Sequence, residues 1–178
     1  MFDEHRPPMA GERRRDMPRR VPTPLPLPLD AGDAAPVLAA IDRHLAMARR
    51  TGQHLAVLAV RMVPVQAADG AAASCPADPL VLAFGQRLRA RVRSSDAVLH
   101  LGSGEWVALL QPCRQAGALA ARQRLLAVLA EPYRLGSAIV SASARIGCAC
   151  HPAAGGASAA LLAAALANRE DPGQADRR

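Results

Sequence analysis

The sequence has only four aromatic residues among 178 and no lysine, since all 22 basic residues are arginine. The four aromatics are Phe2, Phe84, Trp106 and Tyr133. A core must therefore be built mainly from Ala, Leu and Val, and the aromatic platforms on which single-stranded nucleic acids stack are missing. The net charge of +7 permits anionic partners, but the arginines within 87–93 alternate along a predicted helix and spread around it. We therefore expect a solvated basic surface and no nucleic-acid partner.

Cysteine is also scarce, and its spacing excludes the common metal motifs. Cys75, Cys113, Cys148 and Cys150 form no Cys-x-x-Cys pair and have no histidine at a zinc-binding spacing. We interpret all four as reduced thiols, with Cys148 and Cys150 on one face of a strand as small hydrophobic side chains. No apolar run resembles a membrane span, and no hydrophobic signal segment follows the N-terminal arginines. The sequence therefore indicates a cytoplasmic protein.

The composition divides the chain into three parts. Residues 1–35 combine an arginine-rich run with alternating proline and leucine, which predicts a disordered or polyproline-like tail. Residues 36–169 carry regular apolar patterns and form the predicted folded domain, and residues 170–178 are predicted to be a frayed end. The tail is suited to docking on an unidentified protein partner, although a plain linker is the commoner role of such a segment.

The apolar patterns of the folded part predict alternating helices and strands. The predicted helices cover 36–50, a segment that begins at 78 or 79, 115–130 and 158–168, and the predicted strands cover 55–63, 97–101, 106–110 and 139–150. Without the first and last helices the order is β-α-β-β-α-β, which is the ferredoxin-like unit. The expected fold class is therefore α+β, with one central, mostly antiparallel sheet and flanking helices.

A β-hairpin signal stands in the middle of the chain. Two apolar runs, Ala97–Leu101 and Trp106–Leu110, flank the segment Gly102-Ser103-Gly104-Glu105. Glycine supplies the positive φ that a tight turn needs. The turn carries one carboxylate, Glu105, and its glycines let a phosphate or a metal ion approach the backbone closely.

These elements, together with two short motifs, resemble the GGDEF (diguanylate cyclase) family over residues 36–169. The family's R-L-G-G-D-E-F is similar to His100–Trp106, and its S-I-G-x-A-x-Y-P is similar to Arg145–Pro152. The resemblance implies a dimeric enzyme that condenses two GTP molecules into cyclic di-GMP with the help of Mg²⁺ or Mn²⁺.

The resemblance implies that part of the family's nucleotide site is retained. Glu105 matches the acidic metal ligand of the signature, Asp78 matches an aspartate that reads guanine, and the neighbouring guanine-reading asparagine becomes Asp69. The change from amide to carboxylate removes a hydrogen-bond donor and adds charge. Simpler roles are open to both aspartates, because Asp78 can cap its helix and Asp69 can stabilise a turn.

Other positions of the family's catalytic site are replaced. The family's D-x-D falls on Arg61 and Val63, the central acid of the signature becomes Gly104, a nearby lysine becomes Gln66, and the phosphate-binding lysine of the C-terminal motif is missing. Two-metal catalysis requires several carboxylates to hold the cations. A guanidinium at position 61 repels a metal and is expected to pair with Glu105 or to bind a phosphate. We therefore expect no cyclase activity and no cofactor, Mg²⁺ being needed only by an active cyclase.

A second site of the family matches this chain better. In the family an Arg-x-x-Asp just before the signature forms an inhibitory site for cyclic di-GMP, and Arg93-Ser94-Ser95-Asp96 stands at that offset. The supporting arginine on the next helix falls on Arg124. Arginine can hold a phosphate or a guanine edge with two N–H groups, and aspartate can accept from guanine. The alternative is structural, because an aspartate at a strand entry commonly caps a turn.

The sequence leaves three functions open. The first is a catalytically degenerate GGDEF domain that senses cyclic di-GMP through Arg93, Asp96 and Arg124 as a regulatory module. The second is a protein-interaction scaffold that binds no nucleotide, either as a monomer or as the homodimer that the family implies. The third is a working cyclase that uses Glu105.

Overall fold

The computed structural model describes residues 34–64, 77–102 and 104–169. Within them the helices are α1 (Ala35–Thr51), α2 (Ala77–Ala90), α3 (Gln115–Leu129) and α4 (Ser158–Ala167). The strands are β1 (Leu55–Pro64), β2 (Ala97–Gly102), β3 (Glu105–Leu110), β4 (Tyr133–Leu135), β5 (Ala138–Val140) and β6 (Ala142–His151). The predicted tail lies outside the described residues except for its last two, and the predicted C-terminal end lies wholly outside them.

A four-stranded antiparallel sheet forms the centre of the domain, with the strand order β2-β3-β1-β6. α2 and α3 pack on one face of the sheet, and α1 and α4 pack on the other. The sheet is therefore covered on both sides, and two separate apolar layers stabilise the domain. This architecture confirms the predicted α+β class with a central antiparallel sheet and flanking helices.

The apolar run of β1 follows from its inner position in the sheet. Leu58 and its alternate neighbours face α2 and α3, whereas Val57 and its alternate neighbours face α1 and α4. Every side chain in the segment 55–60 is buried, as expected of a strand that is covered on both faces. The burial ends at Arg61, which is exposed, so β1 carries this arginine to the edge of the core.

α1 shows the usual signals of a helix that packs on a sheet. Pro36 stands in its first turn, where the fixed φ of proline suits a helix start, and Gly52 ends it in a left-handed conformation with φ of 63°. The side chains buried against the sheet recur at helical spacing: Val37, Ala40, Ile41, Leu45 and Ala48. No helix in the described part of the chain is long and apolar enough to cross a membrane.

The predicted single strand over 139–150 is wrong at its beginning. The chain first forms a small hairpin in which β5 pairs with β4, and Ser141 separates β5 from β6. β6 then pairs with β1 over its whole length. Both segments carry apolar residues, and side-chain periodicity does not identify the strand to which each backbone is hydrogen-bonded.

Three aromatic side chains stack within the layer under α2. The ring centroids of Phe84 and Trp106 are 4.9 Å apart, and those of Phe84 and Tyr133 are 6.0 Å apart. The Arg87 guanidinium lies 3.6 Å from the centre of the Tyr133 ring and donates to main-chain carbonyl oxygens of the turn after α3. Arg87 therefore joins α2 to that turn.

Replacing Arg87 with alanine is expected to lower the free energy of unfolding by about 2 kcal/mol, because it removes a cation–π contact and several charge-assisted hydrogen bonds. Urea denaturation of the purified domain measures this loss. Gln86→Ala, at an exposed neighbouring position of the same helix, serves as the control and should change the midpoint little. Equal midpoints for Arg87→Ala and the wild type would contradict the expectation.

Candidate functional site

The hairpin predicted around Glu105 is present, and its tip has the backbone that glycine favours. Gly102 and Gly104 have φ of 95° and 72°, which lie in the region that side chains with a Cβ rarely adopt. The Gly104 carbonyl accepts a 2.9 Å hydrogen bond from the Met62 amide of β1. In the strand register Glu105 lies opposite Arg61. The tip therefore brings the signature acid and the arginine that replaces the family's metal ligand to the same end of the sheet.

The Glu105 carboxylate is held by two arginines. Its Oε1 atom accepts a 2.7 Å hydrogen bond from Arg169 Nη1 and lies 3.9 Å from Arg61 Nε. The Arg169 and Glu105 side chains are 18% and 22% exposed, whereas that of Arg61 is 56% exposed. The expected contact with Arg61 is thus present as the outer member of a cluster, and Arg169 is the main partner.

Arg169 reaches Glu105 because the end of α4 lies directly against β6. A Cβ at Gly147 would stand 1.9 Å from the Ala165 carbonyl oxygen and 2.8 Å from the Arg169 amide, so only glycine permits this approach. The Asn168 side-chain amide donates to the Cys148 carbonyl at 3.2 Å. The sequence contained one signal for this contact, the glycine of the S-I-G-x-A-x-Y-P-like motif, but nothing in it indicated which side chain the close approach would position.

This arrangement does not fit the Mg²⁺ or Mn²⁺ that the family resemblance implies. A divalent cation at Glu105 would displace the 2.7 Å hydrogen bond from Arg169 and would then face two guanidinium groups. Like unit charges 4 Å apart repel by about 4 kcal/mol at an effective dielectric constant of about 20. Among the described residues no group of three or more His, Cys, Asp or Glu side chains is placed to hold a metal ion.

The structure does not place the two predicted guanine-reading aspartates at a site. Asp78 is the second residue of α2, but the description of this helix does not include its side chain. Asp69 lies outside the described residues. A residual guanine site at these two positions stays a prediction.

Asp96 is buried and holds the loop before β2. One of its carboxylate oxygens accepts a 2.9 Å hydrogen bond from the Arg93 amide, and the other accepts a 3.3 Å hydrogen bond from the Gln111 amide. The Asp96 amide donates in turn to the Arg93 carbonyl at 3.1 Å. The carboxylate therefore has the turn-capping role that the sequence offered as the alternative to ligand binding.

Arginines surround this loop on its outer side. Arg89 donates to the carbonyl oxygens of Arg93, Ser94 and Asp96 and so fixes the loop against the end of α2. The side chain of Arg124, on α3, reaches the Arg91 carbonyl at 3.4 Å. Arg93 and Arg124 are both exposed. The fold thus brings the Arg124 side chain to the loop that carries Arg93, while the Asp96 carboxylate points inward.

Comparison with known sequences identifies the family of the chain. The family model described as diguanylate cyclase, GGDEF domain, matches residues 37–169. A curated relative is the bifunctional diguanylate cyclase/cyclic di-GMP phosphodiesterase MucR of Pseudomonas aeruginosa, with 29% identity over 115 residues. That match covers 65% of this chain and 17% of MucR, so the chain corresponds to a small part of that protein.

Solved structures share the same architecture. The GGDEF domain of YfiN (TpbB) from Pseudomonas aeruginosa is 29% identical with a TM-score of 0.66, over 75% of this chain and 84% of that one. The GGDEF domain of DgcB from Caulobacter crescentus, solved in complex with cyclic di-GMP, is 10% identical with a TM-score of 0.61, over 74% and 76% of the two chains; this likeness shows the fold alone.

The central antiparallel sheet with flanking helices defines an α+β domain with the architecture of GGDEF structures. More specifically, the chain belongs to the GGDEF (diguanylate cyclase) domain family. Membership of this family implies a role in cyclic di-GMP signalling.

Proposed function

We propose that this domain does not synthesise cyclic di-GMP but responds to it as a regulatory module. The observation that carries the proposal is the 2.7 Å pairing of Glu105 with Arg169, with Arg61 on its exposed side. A cyclase needs carboxylates that are free to hold cations between two triphosphates. Here the protein supplies the counter-charges of the signature acid, so Glu105 stabilises the junction of β3 and the end of α4.

The loop from Arg91 to Asp96 supports the regulatory half of the proposal. Its backbone is held from the inside by the Asp96 carboxylate and from the α2 side by Arg89. Within the described residues, the Arg93 guanidinium is exposed and makes no ion pair, and the Arg124 guanidinium makes a single 3.4 Å contact to a carbonyl. A loop that is already ordered loses little conformational entropy when it binds a ligand.

Cyclic di-GMP is the ligand that this arrangement favours. It carries two phosphates, and guanidinium groups bind phosphate oxygens with two parallel N–H groups. Arg93 and Arg124 supply two such groups on neighbouring elements, so we assign the phosphate contacts to them. Asp96 keeps the loop in the shape that presents Arg93. The DgcB domain, which shares the fold, was solved in complex with this nucleotide.

Isothermal titration of the full chain with cyclic di-GMP tests the proposal. The wild type is expected to bind, and Arg93→Ala and Arg124→Ala are each expected to weaken binding by about tenfold, because each removes a charge-assisted contact to phosphate. Arg43→Ala removes an exposed arginine from α1 and is the matched control, with unchanged affinity.

Two outcomes would contradict parts of the proposal in different ways. Absence of binding by the folded wild type would reject the cyclic di-GMP response and would support a nucleotide-independent scaffold. Formation of cyclic di-GMP from GTP with Mg²⁺ or Mn²⁺, above the level of a Glu105→Ala variant, would reject the loss of cyclase activity.

A further inference from the structure

Two thiols lie side by side near the end of β6. Cys148 and Cys150 are two residues apart in the strand, so their side chains project from the same face, and their Sγ atoms are 3.9 Å apart. Both pack with the layer under α2 and α3, as does Cys113. The sulfurs thus have the small hydrophobic role expected of them, but they also form a contacting pair that neither the hairpin site nor the arginine loop uses.

The two thiols differ in acidity because one donates to the other. The hydrogen bond from Cys148 lowers the pKa of Cys150 to about 7, whereas that hydrogen bond together with burial raises the pKa of Cys148. The pKa of Cys113 is raised by burial, by Cys150 and by Asp96. Thiolate is the reactive form of cysteine. Of the two thiols, Cys150 is therefore the more readily ionised.

Cys150 also lines a cavity that opens to solvent at this end of the sheet. The cavity has a volume of about 480 Å³, which is ample for a small solute. One arginine and two histidines line it together with Cys150: Arg114, His54 and His151. Cys150 thus borders a space that a small reagent can enter, although its side chain is almost wholly buried. The Arg114 guanidinium in the lining favours the negative charge that passes to the leaving oxygen.

We propose that Cys150 is a site of oxidation by hydrogen peroxide or a small organic hydroperoxide, and that Cys148 is its resolving thiol. The Cys150 sulfur attacks the peroxide oxygen, the O–O bond breaks, and the leaving hydroxide or alkoxide is protonated to water or an alcohol. Cys150 is then a sulfenic acid. The Cys148 sulfur attacks the sulfenic sulfur, and the hydroxyl takes up the Cys148 thiol proton and leaves as water. The net change is the oxidation of two thiols to one disulfide and the two-electron reduction of one peroxide.

The product requires β6 to bend locally between the two cysteines, because the Cβ atoms of a disulfide lie only about 3.5–4.5 Å apart. Cα atoms two residues apart in an extended strand are about 6.6 Å apart, which lies near the upper end of the range that disulfides span. β6 is an edge strand of the described sheet, so its outer side is not held by another strand when the sulfurs move together. Cys113 lies on the segment between β3 and α3 and does not share this strand.

Mass spectrometry of the full chain after mild treatment with hydrogen peroxide tests the proposal. Trypsin releases Cys148 and Cys150 together in the peptide Ile146–Arg169 and Cys113 in the separate peptide Ser94–Arg114. We expect the first peptide to lose two hydrogens and to recover them with dithiothreitol. In Cys148→Ser the same peptide should instead gain oxygen, because the sulfenic acid has no resolving thiol. Cys113→Ser is the matched control and should oxidise as the wild type does.

A second measurement keeps the proposal testable if a variant fails to fold. In the wild type at pH 7, iodoacetamide should label Cys150 about tenfold faster than Cys113, with a rate that rises through a midpoint near pH 7. Equal labelling rates for the two cysteines, or oxidation of Cys148 in Cys150→Ser as fast as the wild type forms its disulfide, would overturn the proposal.

Discussion

Replacing Arg61 with aspartate and Arg169 with alanine in one variant is expected to create a Mn²⁺ site that the wild type lacks. The change removes both guanidinium groups that hold Glu105 and places a second carboxylate opposite it in the β1–β3 register. Each removed like charge is worth at most about 4 kcal/mol at a separation of 4 Å, and solvent screening reduces this strongly at the exposed Arg61. We therefore expect Mn²⁺ affinity to rise by about a hundredfold or more. Electron paramagnetic resonance of free Mn²⁺ measures it.

The control for this variant changes charge by the same amount away from the hairpin. Arg43→Asp combined with Arg50→Ala replaces two exposed arginines of α1 and should leave Mn²⁺ binding at the level of the wild type. Tight Mn²⁺ binding by the wild type would show that Glu105 is not sequestered by its arginines. A folded double variant that still bound no Mn²⁺ would show that the loss of the site does not depend on these two residues.

Replacing Gly147 with alanine is expected to lower the free energy of unfolding by about 3 kcal/mol, at the upper end of the usual cost of overpacking. The added Cβ would stand 1.9 Å from the Ala165 carbonyl oxygen, and a backbone atom cannot rotate out of the way as a side chain can. The end of α4 must therefore move away from β6, and Arg169 moves with it. Urea denaturation measures the loss of stability.

The chain offers a second glycine-to-alanine change as the matched control. At Gly117, in α3, a Cβ would meet the Cys113 sulfur at 3.4 Å, an ordinary contact with a side chain that can adjust. Alanine is favoured over glycine in a helix by about 1 kcal/mol, so this variant should be as stable as the wild type or slightly more stable. A Gly147→Ala protein as stable as the Gly117→Ala protein would show that α4 does not depend on the close approach.

Much of the fold could be predicted from local patterns. The apolar run of β1 predicted a strand, and the glycines beside Glu105 predicted the turn that Gly102 and Gly104 form. These predictions succeed because the spacing of apolar residues and the need for a positive φ are both properties of a few consecutive residues. The division of 139–150 between β5, which pairs with β4, and β6, which pairs with β1, could not be predicted in this way, since both segments are apolar.

The four helices, the strands of the central sheet, the hairpin and the loss of most of the family's metal ligands could be read from the sequence, because each depends on adjacent residues. The partner of the remaining acid, Glu105, depends on the tertiary structure. Arg169 stands 64 positions from Glu105 and meets it only because Gly147 lets α4 lie against β6. The tertiary structure also turned Asp96 inward, towards the Arg93 and Gln111 amides. Contacts between residues so far apart in sequence depend on how whole helices and strands pack. The local spacing of residue types does not predict that packing.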